Sequence, residues 1–97
     1  MAHHVILMNF TEQGARTVKD SVKRYQAAKA AAAKVGVTFK DGYWLQGKYD
    51  VMVIIESADE TAATLLGLNV AQQGNVRTQT MRAFTESEMS AMLAKLG

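Results

Sequence analysis

The sequence predicts an α+β domain of ferredoxin-like topology. Its order is β-α-β-β-α-β, with a four-stranded antiparallel sheet and an added C-terminal helix. Short strand-like runs fall near 3–10, 37–45 and 51–57, which are apolar, and near 76–84, which is polar. Two longer segments with helix chemistry, 11–36 and 57–73, separate them. The chain has 97 residues, no proline and no linker-like stretch, so residues 1–97 read as one domain.

The first strand is "HHVILMNF" (3–10). Val5, Leu7 and Asn9 point one way, and His4, Ile6, Met8 and Phe10 point the other. Both sets are largely apolar, so both faces need covering.

Residues 11–36 carry a helix in two pieces. Thr11 is suited to cap a first turn, which Gly14 weakens, and Asp20 or Ser21 to cap a second, longer segment. The alanine run has the highest helix propensity. Val22, Tyr25, Ala28, Ala32 and Val35 recur at three- and four-residue steps, giving a narrow apolar stripe. Gly36 suits the position after the helix.

Residues 37–57 form a hairpin with its turn at Gly47. Asp41-Gly42 marks a bulge within its first strand. On the second strand Tyr49, Val51, Val53 and Ile55 share one face, and Asp50, Met52, Ile54 and Glu56 share the other. Ser57 followed by Glu60 fits a capping box for the next helix, which stops at Gly74. Its Leu65, Leu66, Leu68 and Val70 form a broad apolar arc interrupted by Asn69.

"VRTQTMRAF" (76–84) is polar enough to be an edge strand. Thr85 and Glu88 fit a second capping box, and Met89, Met92, Leu93 and Leu96 give the last helix one apolar face. That face needs the body of the domain or a partner chain. Both long helices lie on one side of a ferredoxin-like sheet. The apolar residues on the other side then predict a homodimer with sheets packed face to face, or partial cover by the terminal helix.

Composition narrows the function classes. Eleven basic and nine acidic residues leave a net charge of +2. Arg16, Lys19, Lys23, Arg24, Lys29 and Lys34 read as the wet side of a helix, so no nucleic-acid partner is expected. Without cysteine there is no disulfide or thiol chemistry. No apolar run approaches the ~18 residues of a membrane span, so the expectation is a cytoplasmic protein with no membrane partner. His3 and His4 point apart on a strand and no third ligand has metal spacing, so neither a metal nor a cofactor is expected.

The pieces "LMNFTEQGAR" (7–16), "KDSVKR" (19–24), "GYWLQGKYDVMVIIE" (42–56) and "GNVRTQTMRAFTESE" (74–88) carry a family resemblance. The chain resembles the GYD-domain family of small bacterial and archaeal proteins. The family's Gly, Tyr, Asp signature is matched by Gly47, Tyr49 and Asp50. The resemblance implies a dimeric α/β barrel and leaves the biochemical role open. Val22 departs from the helix-starting proline of many relatives. The Gly-x-Tyr-Asp hairpin is also similar to a segment of the effector domains of feast–famine regulators, which implies amino-acid binding near the hairpin.

The candidate ligand-binding residues are Trp44, Gly47, Tyr49, Asp50 and Arg77. Tyr49 and Asp50 are neighbours on a strand and face opposite sides, so they are no catalytic dyad. Asp50 has two readings. Its apolar surroundings suit it to acid–base use, or its carboxylate accepts hairpin backbone N–H groups and pins the turn. Trp44 is a pocket wall or a dimer anchor. Arg77 holds an anion or Asp50, or is solvated at the edge. Asp50 and Glu56 lie roughly 20 Å apart, too far for paired-carboxylate chemistry.

The reading that follows is a homodimer, or higher oligomer, binding a small metabolite near residues 46–50. One alternative is a cofactor-free monooxygenase or isomerase of the dimeric α/β-barrel type, using Asn9 and Trp44 although a pocket histidine is missing. Another is an assembly protein with no ligand.

Overall fold

A computed structural model describes residues 1–97. The strands are β1 (Ala2–Phe10), β2 (Val37–Trp44), β3 (Val51–Ser57) and β4 (Val76–Ala83). The helices are α1 (Glu12–Arg16), α2 (Ser21–Lys34), α3 (Glu60–Gln72) and α4 (Glu86–Leu93). A single 3₁₀ turn, Val18–Asp20, joins α1 to α2. The sheet order is β2-β3-β1-β4, antiparallel throughout. This is the ferredoxin-like arrangement that the sequence predicts.

Register assigns the faces, because directly opposed residues share one. Ile6 lies opposite Val53 and Thr80, and Met8 opposite Val51 and Thr78. Ile6, Met8, Val37, Phe39, Val51, Val53, Ile55 and Val76 are buried beneath Ala32 of α2 and Ala63 and Leu66 of α3. The other face carries Val5, Leu7, Met52, Ile54, Tyr43 and Met81, and none of these is fully buried. The central strands β1 and β3 are therefore apolar on both sides while helices cover one.

The β2 bulge falls between Phe39 and Asp41, at Lys40, just before the Asp41-Gly42 pair where the sequence places it. It returns Gly42 to the helix-covered face opposite Val53, where a Cβ would lie 2.5 Å from the Tyr25 hydroxyl oxygen. The stripe of α2 is narrower than its spacing suggests. Tyr25, Ala28 and Ala32 face the sheet, whereas Val22 and Val35 near the helix ends stay exposed. On α3, Leu66 turns in and Leu65 and Leu68 turn out. Asn69 stays on the exposed side, where its Oδ1 accepts from Gln72 Nε2.

The expected Ser57–Glu60 box is replaced by another cap. Ser57 is the buried last residue of β3 and its hydroxyl donates to the Asp59 carbonyl. Asp59 Oδ1 instead accepts the Thr61 N–H at 2.8 Å, and its bonds from Thr61 hold the Asp59 carboxyl below its ordinary pKa. At α4 the predicted box is present: Thr85 Oγ1 accepts the Glu88 N–H, and Glu88 Oε1 accepts the Thr85 N–H.

The apolar side of α4 does not dock on its own domain. Met89, Met92 and Leu93 keep 42%, 40% and 55% of their surface. The resulting shape is long, 52 × 31 × 18 Å. Its radius of gyration is 14.6 Å, against roughly 12.5 Å for a compact chain of this length. No helix is long and apolar enough to cross a membrane.

The Glu88 carboxyl is held below its ordinary pKa first by the Thr85 backbone N–H, then by the Thr85 hydroxyl and the nearby Arg82 and His3. A depressed carboxylate contributes stability above its unfolded pKa and loses it as pH falls through the folded value. The helical NMR shifts of residues 86–93 should therefore hold at neutral pH and decay below about pH 4. Glu88→Gln should remove most of that pH dependence.

Candidate functional site

Residues 45–50 leave the β2–β3 ladder and reattach to β1. Leu45 N–H donates to the Asp50 carbonyl at 2.8 Å and closes the loop, whose tip Gly47 has φ +128°. Asp50 N–H donates to the Met8 carbonyl at 2.9 Å, one step beyond the end of β3. Asp50 Oδ2 then accepts the Phe10 N–H at 2.9 Å, taking the place of a strand carbonyl. Asn9 Nδ2 adds a bond to the Lys48 carbonyl at 2.7 Å. The Asp50 carboxylate thus pins backbone, as one of its two readings holds, but the backbone belongs to β1 rather than to the hairpin itself.

The end of β1 is fastened a second time, to the α3–β4 connection. Thr11 N–H donates to the Asn75 carbonyl at 3.0 Å, and Thr11 Oγ1 donates to the Gly74 carbonyl at 2.6 Å. The same hydroxyl accepts the Gly14 N–H, which caps α1. Gln13 Nε2 reaches the Gln73 carbonyl and Asn75 Oδ1 at 3.2 and 3.0 Å. A Cβ on Gly14 would overlap the Asn75 carbonyl oxygen, so only glycine lets these segments meet. Sequence reasoning saw Gly14 only as a weak helix residue, because the close approach joins segments about sixty positions apart.

The five candidate residues do not converge on one point. Trp44 lies on the helix-covered face, opposite Val51. Its indole N–H donates to Ser21 Oγ at 2.7 Å, and its ring meets Tyr25 edge-on with centroids 5.4 Å apart. Tyr49 was expected beside Val51 and Val53 on that face. It lies outside β3, so strand alternation does not extend to it, and its hydroxyl donates to Gln79 Oε1 at 2.9 Å. Gln79 pairs with Leu7 on the opposite, open face. Arg77 sits on that open face too, across from Asn9, and makes no ion pair with Asp50. Asn9 and Trp44, the pair needed for monooxygenase chemistry, are on opposite sides of the sheet.

His3 and His4 also separate. His3 Nε2 lies 3.0 Å from Glu56 Oε2 on the open side, while His4 is buried on the other. No three His, Asp or Glu side chains gather as a metal set.

The feature that spacing did not reveal is a cleft between α2 and α3, above the helix-covered face. It is a partly open hollow of about 70 Å³. Met8 and Val53 line the sheet side, Tyr25, Phe39 and Trp44 one wall, and Leu66 and Val70 the other. The cleft widens along the helices over Ala27, Ala28 and Ala31, whose small side chains leave the gap. Its polar lining is Ser21, Arg24, Gln73, Asn75 and Thr78. Burial, and then the charge of Asp41, raises the Tyr25 pKa, so its phenol stays neutral.

The GYD domain matches residues 4–93. A Thermus thermophilus protein, described as glutamine synthetase and cystathionine beta-lyase binding protein, is 26% identical over 94 residues, covering 96% of this chain and 99% of that one. Two solved structures share the fold. FFRP-DM1 has a TM-score of 0.56 at 22% identity, over 87% of this chain and 100% of its own. TTHA0845 from Thermus thermophilus has a TM-score of 0.54 at 22% identity, over 88% and 95%.

Two substitutions test the fastening of β1. Asp50→Ala should lower unfolding stability in urea by about 1.5–3 kcal/mol, as for a lost bond to a charged acceptor. Asp50→Asn keeps an acceptor oxygen and should lose less. Gly14→Ala should cost about 2 kcal/mol or more, because backbone rather than a flexible side chain blocks the Cβ.

Proposed function

The chain belongs to the GYD domain family, and we propose that it is a homodimeric binding protein. The observation that carries this is the uncovered sheet face with Val5, Leu7, Met52, Ile54, Tyr43 and Met81. Four strands about 4.8 Å apart and some six residues long make a patch on the order of 400 Å². The free apolar side of α4, roughly 12 Å long and 10 Å wide, adds about 120 Å², and the resulting roughly 500 Å² per partner reaches the lower bound of about 1,000 Å² in total for a specific interface. A second copy supplies the same surface, and face-to-face packing of two sheets buries both.

Binding, rather than turnover, is the reading the site supports. The hairpin carboxylate is engaged with backbone, and Asn9 and Trp44 share no cavity. The Thermus relative's description as a binding protein for two enzymes points the same way. In the proposed dimer, Tyr49, Gly47 and Arg77 border the interface at the hairpin end, and Trp44 and Asp50 connect that end to the cleft. A small metabolite bound at this end is placed to alter a surface that a protein partner reads.

Light scattering on the purified protein should give about twice the 10.6 kDa chain mass at micromolar concentration. Leu7→Lys should give a folded monomer with unchanged helix content by circular dichroism. A wild-type monomer would refute the dimer.

A further inference from the structure

We propose that the cleft between α2 and α3 binds a small carboxylate with an apolar body, Arg24 holding the carboxylate while the body enters between Trp44 and Val70. This rests on the reading of the chain as a binding protein and names the ligand class. Three independent features of the cleft support it.

The first is space. Interiors pack to crystal-like density with few voids larger than a water. Here the α2 wall is built from alanines facing Leu66 and Val70, and a gap remains where larger residues would close it. The cleft's 70 Å³ is about half of an apolar cavity that admits benzene, and one side is open. It therefore suits a branched aliphatic group, or a ring entering from the open side.

The second is charge. Arg24 is half-buried, and its bonds go to Thr17 O at 2.9 Å, Thr17 Oγ1 at 3.0 Å and Gly14 O at 3.4 Å. All three acceptors are neutral. Arg82, also half-buried, has Glu60 and Glu88 as ion-pair partners. A guanidinium has five N–H donors and matches a carboxylate in a two-pronged fork. The side-chain amides of Gln73 and Asn75 line the same space and donate to no protein acceptor.

The third feature sets selectivity. No aspartate or glutamate lines the cleft along either part. Asp41, whose charge reaches Tyr25, stands outside the lining. An α-amino acid would bring an ammonium group with no carboxylate in contact, and burying an unpaired charge is costly. The site therefore selects a simple carboxylate over the corresponding amino acid. A neutral alcohol of the same shape accepts a single uncharged bond from the guanidinium and forgoes the two-pronged ionic pair.

Trp44 is the only tryptophan and lies on the cleft wall, so its fluorescence reports occupancy directly. The probes are 3-methylbutanoate and phenylacetate, compared with phenylalanine and 2-phenylethanol. Both carboxylates should quench or shift Trp44 emission saturably, with phenylalanine and the alcohol at least about tenfold weaker. Arg24→Gln should weaken carboxylate binding by at least about tenfold. Arg24 also ties α2 to α1, so Ala28→Leu provides a second arm that fills the cleft without touching the guanidinium. It should abolish binding while light scattering shows the same assembly state as wild type. The proposal is overturned if the carboxylates fail to saturate at roughly 10 mM. Equal binding of phenylalanine, or unchanged carboxylate binding in folded Ala28→Leu, also overturns it. None of these outcomes bears on whether the chain is a dimer.

Discussion

Two helices cover one side of a four-stranded sheet whose central strands are apolar on both sides. This mismatch governs the rest of the molecule. Ile6, Val53 and Ile55 are buried beneath α2 and α3. Their neighbours in sequence, Val5, Leu7, Met52 and Ile54, meet solvent in the single chain. The chain cannot relieve this alone, because α4 projects away with its own methionines and leucine exposed. Two uncovered surfaces of the same character on one small domain are the ground for the proposed dimer.

At one end of the sheet the fold spends its polar groups on fastening. Asp50, Asn9, Thr11 and Gln13 all bond backbone carbonyls or N–H groups of distant segments. The Gly-x-Tyr-Asp signature is thus divided by task. Gly47 makes the turn, Tyr49 reaches across the open face to Gln79, and Asp50 completes β1. The signature is a joint between the hairpin and its neighbours β1 and β4.

Element order, the β2 bulge, the Thr85 box and the two-sided character of β1 and β3 were legible in the sequence, because each rests on local spacing or capping chemistry. The partner of Asp50 was not, because Phe10 N–H comes forty positions earlier and through a side chain standing in for a carbonyl. Strand alternation puts Tyr49 on the face of Val51, but β3 begins only at Val51, and the Tyr49 hydroxyl reaches Gln79 on the other face. Arg24 read as one more solvated base on α2. Only the fold shows that it turns towards Gly14 and Thr17 while the surrounding lysines stay outside. The cleft itself is a consequence of alanines placed opposite Leu66 and Val70, a relation between two helices that neither segment reveals.

On the function proposed above, the sheet has two working sides, one apolar face offered to a second copy, the other carrying a small cleft with an uncompensated guanidinium. The first assignment is the one on which the account most depends. An isotope-filtered NOE experiment on a mixture of labelled and unlabelled protein tests it directly. The account predicts intermolecular NOEs among the methyl groups of Val5, Leu7, Met52 and Ile54. If those methyl groups show only intramolecular NOEs, or intermolecular NOEs arise instead from α2 and α3, the open sheet face is not where two copies meet.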